Sequence, residues 1–219
     1  MQRQHILGVH TDLLLPILLG LTMAQGALAQ PSGSPPSPVI FLDQGWTPAE
    51  RAWYYQVSQG SAAMSYDVFL NLEMAGSQEL FRSDANSDRF GLITQAADPQ
   101  NNPDALPIGL AKTVVRKKGS NVDDVQIGLT CAACHNAQLN YQGKRIRIDG
   151  GVGNTFDMMG YINALDDAMQ STLKDKQKFD RLAARLGAMS AGAKSELGQR
   201  IAREAAPMHE YRTRWLAAP

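Results

Sequence analysis

The sequence predicts a mainly α-helical, irregular domain with long loops and one small β-hairpin. Three observations carry this expectation. Apolar residues recur at three- and four-residue steps in the C-terminal third: Phe156, Met159, Ile162, Leu165, Met169 and Leu173. The stretch from 78 to 106 is dense in Asp, Asn and Pro, the chemistry of turns rather than of regular elements. Strict alternation in Arg145-Ile146-Arg147-Ile148 follows a Gln142-Gly143 turn, as in a hairpin.

Composition sets the outer bounds. Of 219 residues, 44% are apolar and 19% charged, enough to fill a core and too little charge for wholesale disorder. The 21 basic side chains balance 21 acidic ones, which excludes a whole-molecule attraction to nucleic acid or an anionic membrane.

Element by element, the chain opens with Arg3, an apolar run from Leu13 to Leu21 and Ala27-Leu28-Ala29. The run is too short to span a bilayer and the small-x-small triplet suits signal peptidase, so residues 1–29 read as a signal peptide; an uncleaved anchor is the other reading. The mature chain is therefore expected in the periplasm or secreted, with no stable membrane span. Residues 30–44 are rich in Pro and Ser and read as a disordered leader, with one domain over 45–219.

Thr47, Pro48 and Glu50 mark a helix start, with Trp53, Tyr54 and Val57 on one side. A second helix is expected through "SYDVFLNLEMAG", stopped by Gly76. The stretch "IGLAKTVVRKKG" reads as a strand ending in a basic turn, and "VDDVQIGLT" as a weak strand. Asn154 is placed to cap the striped helix, and "KFDRLAARLG" and "ELGQRIAREAAPMHEYRTRWL" give further helices.

Both cysteines lie in "GLTCAACHNAQL". C-x-x-C-H is the attachment signature of c-type haem. Two thiols three positions apart on one turn can reach the two vinyl groups on one porphyrin edge. His135 then supplies the proximal iron ligand. A simple disulfide leaves the histidine unexplained. A redox dithiol wants a helix directly after a long central strand. Structural zinc wants four ligands, whereas the mature chain offers Cys131, Cys134, His135 and His209, with two of them adjacent. One covalent haem c is the expectation.

The far side of the iron decides between a closed electron carrier and an open, reactive site. Met158 is the distal candidate, because Met159 falls on the core stripe; Met64 and Met74 stand behind it. His209 reads as a surface residue rather than a ligand. Arg145 and Arg147 share one strand face, suited either to haem propionates or to solvent. Arg116, Lys117 and Lys118 form either a basic rim for an acidic redox partner or a soluble turn.

Several runs together resemble a known family: "WYYQVSQGS" with its Ser58-Gln59-Gly60, the Asn102-Pro103-Asp104 turn, the CxxCH, and Arg147-Ile148-Asp149-Gly150. Over residues 45–165 the chain is similar to the N-terminal, first-haem half of the rubber-oxygenase-like cytochromes, often grouped with di-haem cytochrome c peroxidases. The resemblance implies haem on Cys131 and Cys134 with His135 as axial ligand. Characterised members are secreted di-haem proteins in which one haem activates oxygen to cleave polyisoprene and the other has two histidine ligands. This sequence departs from them by its single CxxCH and its end at Pro219. It is expected to be a fragment, a truncated product or a half-length mono-haem relative, with the Trp215-Leu216 end lacking partner structure. The functional expectation is an exported one-electron carrier with an unidentified redox partner. The alternative is a haem-dependent oxygenase or peroxidase.

Overall fold

The computed structural model describes residues 38–116, 123–151 and 153–216. The expected signal peptide, leader residues 30–37, Lys117 and Lys118, and the Trp215 and Leu216 side chains lie outside the described residues.

The architecture corrects the fold class: it is mixed α/β rather than mainly α. Two three-stranded sheets are present. In the first, β1 (Val39–Phe41), β6 (Lys144–Asp149) and β5 (Asn136–Tyr141) lie in that order. In the second, the order is β2 (Met64–Ser65), β4 (Asp123–Leu129) and β3 (Leu110–Arg116). β3 and β4 pair antiparallel from Leu110↔Leu129 to Arg116↔Asp123. Thr113, Val114 and Val115 face Gln126, Val125 and Asp124 there, so branched side chains stiffen the ladder. The stretch read as a weak strand is thus the centre of a sheet.

The hairpin appears as expected. Gln142 and Gly143 take φ of 47° and 73°, the paired positive values of a type I′ turn. β1 then joins β6 in parallel, Val39 opposite Arg145, so residues 39–41, expected to be disordered leader, form a strand.

Helix α1 (Pro48–Gln56) has the expected capping box between Thr47 and Glu50. It buries Tyr55 and leaves Trp53 65% exposed. α2 (Tyr66–Asn71) ends at extended Leu72, well before Gly76. α3 (Asp84–Arg89), capped by Ser83, lies within the stretch expected to be irregular. α4 (Met158–Lys174) is capped by Asp157, which accepts from the Gly160 N–H; Asn154 does other work. α5 (Lys176–Arg185) and α6 (Ala191–Leu216) match the expected helices. No helix among the described residues is long and apolar enough to cross a membrane.

The main core packs α2 and the second sheet against α4, α5 and α6, around Phe69, Ile127, Leu165, Met169, Leu182 and Ile201. On α4 the buried set is Tyr161, Leu165, Asp166, Ala168, Met169 and Thr172. Phe156, Met159, Ile162 and Leu173 are only half-buried. The inward face is rotated because Asp166 is fully buried against α6, bonded to His209 at 3.0 Å and Arg212 at 3.4 Å.

One ionic node ties α5 to the chain after α2. Buried Glu73 receives Arg181 through Nε and Nη2 at 2.8 and 2.7 Å, and Arg185 at 2.8 Å. Lys178, itself buried, stands 3.6 Å away and donates to the Met74 and Ser77 carbonyls at 2.6 Å.

Candidate functional site: the cysteine–histidine turn

β4 runs directly into Thr130, whose side chain accepts from the Ala132 N–H at 3.2 Å and starts a short 3-10 turn over Cys131–Ala133. The Cys134 and His135 N–H groups both donate to the Cys131 carbonyl, at 3.2 and 2.9 Å. Ala132 and Ala133 point inward and are buried. Cys131 and His135 are exposed and Cys134 is half-buried; neither cysteine is in a disulfide. One turn thus offers two thiols and an imidazole, and no helix follows it. The thioredoxin-like arrangement fails for want of that helix, not for want of a strand.

Three contacts fix the turn. Gly109, at φ +91°, lies beneath it; a Cβ there would stand 2.2 Å from the Ala133 Cα. Gly109→Ala is therefore expected to lower stability by about 2–4 kcal/mol, combining backbone strain with overpacking, and to speed thiol labelling of Cys134. Urea denaturation and labelling kinetics measure both. Gln59 Oε1 accepts from the Cys131 backbone N–H at 3.1 Å and from its thiol at 2.9 Å. Asn154 clamps the far side: its N–H donates to the Cys134 carbonyl at 2.9 Å, and its amide donates to the Ala133 and Asn136 carbonyls at 2.8 Å.

The histidine is held in one tautomer. His135 Nδ1 lies 3.0 Å from the Gly151 carbonyl, which can only accept, so Nδ1 carries the proton. Nε2 is left with its lone pair and has no hydrogen-bond partner among the described residues. Thiols that can form thioethers, beside an imidazole with a free nitrogen, form a donor set suited to covalent haem.

Behind the turn lies a buried polar layer. Arg145, Arg147 and Asp149 share one face of β6, where Asp149 meets α1. Asp149 is 2% exposed, takes Arg51 Nε at 2.6 Å and accepts the Tyr55 hydroxyl. Burial, reinforced by Asp149, pushes the Tyr55 hydroxyl well above the usual phenol range. Tyr54 is also raised, by burial first and then by Cys131. Trp46 packs edge-on against Tyr54 at 5.0 Å and against Gly150. Arg147 is 3% exposed, which corrects the solvated-face option for this residue. Its Nη2 donates to Gln138 at 2.7 Å, while Nε has no partner among the described residues. Arg145 is half-buried on the same face.

Of the other named candidates, Met158 opens α4 and is 41% exposed, four residues after the Asn154 clamp. Met64 is wholly buried in the core and Met74 packs against it. His209 is engaged by Asp166. Arg116 pairs with Asp123 at 3.3 Å, both exposed. Among the described residues no cluster of three or more His, Cys, Asp or Glu could hold a metal ion. Gln59 and Gly151 had no signal as site residues in the sequence beyond their places in the SQG and DGG runs.

No family model matches the chain, and no solved structure matches it. It is 30% identical over 201 residues to a protein of Sinorhizobium fredii (strain NBRC 101917 / NGR234) described as "Uncharacterized protein y4iJ". That match covers 77% of this chain and 31% of the relative, so the chain spans about a third of that protein's length.

Proposed function

We propose that the chain is an exported c-type cytochrome that carries one haem c on Cys131 and Cys134 and passes single electrons. The observation that carries this reading is the His135–Gly151 hydrogen bond, which leaves Nε2 free beside two unbridged thiols on the same turn. When bound, the haem supplies a one-electron iron centre. The chain supplies the rest. His135 is the proximal ligand, and the Gly151 carbonyl sets its ring orientation and basicity. Gln59 holds Cys131, and Asn154 keeps the turn against the following loop. Arg145 and the spare Nε–H of Arg147 are the candidates for propionate contacts. Met158 is the distal candidate.

A second reading, an oxygenase or peroxidase at an open iron, is favoured by one observation. Met64 and Met74 are taken up by the core and His209 by Asp166, so closure of the iron rests on Met158 alone, and without that one ligand the iron is open.

The test is a visible spectrum of the full chain produced with a haem c maturation system. A covalent, low-spin spectrum indifferent to carbon monoxide is the expected result. High-spin iron that binds carbon monoxide moves the assignment to the second reading. No haem absorption, together with two titratable thiols, overturns both.

A further inference from the structure

The outer edge of β5 faces a groove. β6 pairs with β5 on one side and with β1 on the other. The Leu42 N–H donates to the Arg147 carbonyl at 3.2 Å, so the backbone polar groups of Arg147 turn toward β1. In an antiparallel ladder the residue opposite then turns its own N–H and C=O away from β6, as does every second residue along the strand. On β5 these are Gln138, opposite Arg147, and Asn140, opposite Arg145. No hydrogen bond among the described residues takes up their N–H and C=O groups. Asn136, next on the same edge, already accepts from Asn154 through its carbonyl at 2.8 Å.

A cavity of about 550 Å³ runs along this edge. One wall is residues 136–140, all five in succession. Consecutive strand residues point to opposite faces, so a space that touches all five lies beside the strand rather than above or below it. The other wall is residues 91–94 with Asp88. The edge has none of the usual guards: Asn-Ala-Gln-Leu-Asn-Tyr holds no charge and no proline. An open edge admits another sheet, whereas an edge that faces a second wall admits a single strand laid between the two. At about 3.3 Å per residue, the edge matches an extended segment of similar length.

Asp88 gives the groove a charge. It makes no ion pair among the described residues, and burial, then Asp84, hold its carboxyl above its ordinary value, against a hydrogen bond from Thr94. A cationic side chain placed beside it offsets both effects.

We propose that this groove binds an extended peptide segment by strand addition to β5, its backbone on Gln138 and Asn140 and a lysine or arginine side chain on Asp88. This site is separate from the haem reading and stands or falls without it.

Three fluorescently labelled peptides, titrated by anisotropy against the full chain, test the proposal: KVTVTK, EVTVTE, and KVTVTK with its four central amides N-methylated. The lysine peptide should bind saturably and slow hydrogen exchange at the Gln138 and Asn140 amides. The methylated peptide keeps the side chains but lacks the donors, and should not bind. The glutamate peptide should bind about fivefold more weakly, and Asp88→Asn should shrink that difference to about twofold. Asn140→Pro removes one outward N–H at an edge position, where proline is tolerated, and should cost about tenfold in affinity. Circular dichroism confirms that each variant is folded. The proposal is overturned by no saturable binding, by unchanged exchange at both amides, by equal binding of the methylated peptide, or by undiminished binding in folded Asn140→Pro. A dimer of the free chain in which both amides are already protected assigns the edge to a second copy and overturns it too. Equal affinity for the lysine and glutamate peptides overturns the Asp88 assignment.

Discussion

Replacing both Cys131 and Cys134 by alanine is expected to abolish haem staining of the denatured chain, a complete loss rather than a reduction. Neither thioether can then form, and Cys131 and His135 stand exposed on the turn. Cys131→Ala alone leaves one attachment through Cys134 and should stain at reduced intensity. His135→Ala separates the two functions of the motif. Covalent staining should persist, because both thiols remain, while the visible spectrum shifts as the iron loses its axial nitrogen. The buried packing of Ala132 and Ala133, which these substitutions do not touch, keeps the turn in place. Undiminished staining in the double variant would falsify the assignment. A His135→Ala spectrum identical to that of the parent would remove His135 from the iron.

Glu73→Gln is expected to cost about 3–5 kcal/mol, the usual penalty for breaking one side of a buried ionic cluster. Lys178, 8% exposed, loses its carboxylate neighbour at 3.6 Å, and Arg181 and Arg185 lose their shared carboxylate. The midpoint of thermal unfolding should fall on the order of 10 °C. The same node sets an acid dependence. Hydrogen bonds from Arg181, then Arg185, hold the Glu73 carboxyl below its ordinary value near 4.5, against the opposing effect of burial. A lowered folded-state value means that its stabilisation is fully present above about pH 4.5 and is lost as pH falls through the folded value. Denaturation at about pH 6 and pH 3 should therefore show a smaller acid loss in Glu73→Gln than in the parent. Equal acid losses in the two proteins would assign the sensitivity to other carboxylates.

What could be read in advance was local. The capping box at Thr47–Glu50, the Gln142-Gly143 hairpin and the CxxCH spacing all act within a few residues, so their chemistry is written in adjacent letters. The sheets are different. β2 is two residues long and β1 three, and each exists because of a partner more than 60 residues away. Such pairings leave no period in the sequence, and a chain with a strong helical stripe then reads as mainly α. The stripe itself misled by its phase. Apolar spacing pointed to Met159 and Ile162, but Asp166 turns inward to meet α6, and hydrophobicity alone does not reveal a buried carboxylate. Asn154 shows the same limit. Its type and place suit a cap, yet three of its four hydrogen bonds go to the cysteine turn and the start of β5, and the fourth, from the Phe156 N–H, falls short of α4. Cys131, Cys134 and His135 were legible as a set; Gln59 and Gly151, which orient that set, became visible only in three dimensions.

The parallel pairing of β1 with β6 has a consequence for timing. Gln44 and Asp149, 105 residues apart, exchange hydrogen bonds in both directions. A chain delivered amino end first therefore cannot close its first sheet until β6, Lys144–Asp149, has emerged. Both cysteines emerge before the Gly151 carbonyl that aligns His135. On the proposed assignment, the imidazole takes its orientation from a carbonyl that follows the attachment thiols in the chain, so the ligand is aligned only once the loop after β6 has folded back onto the turn.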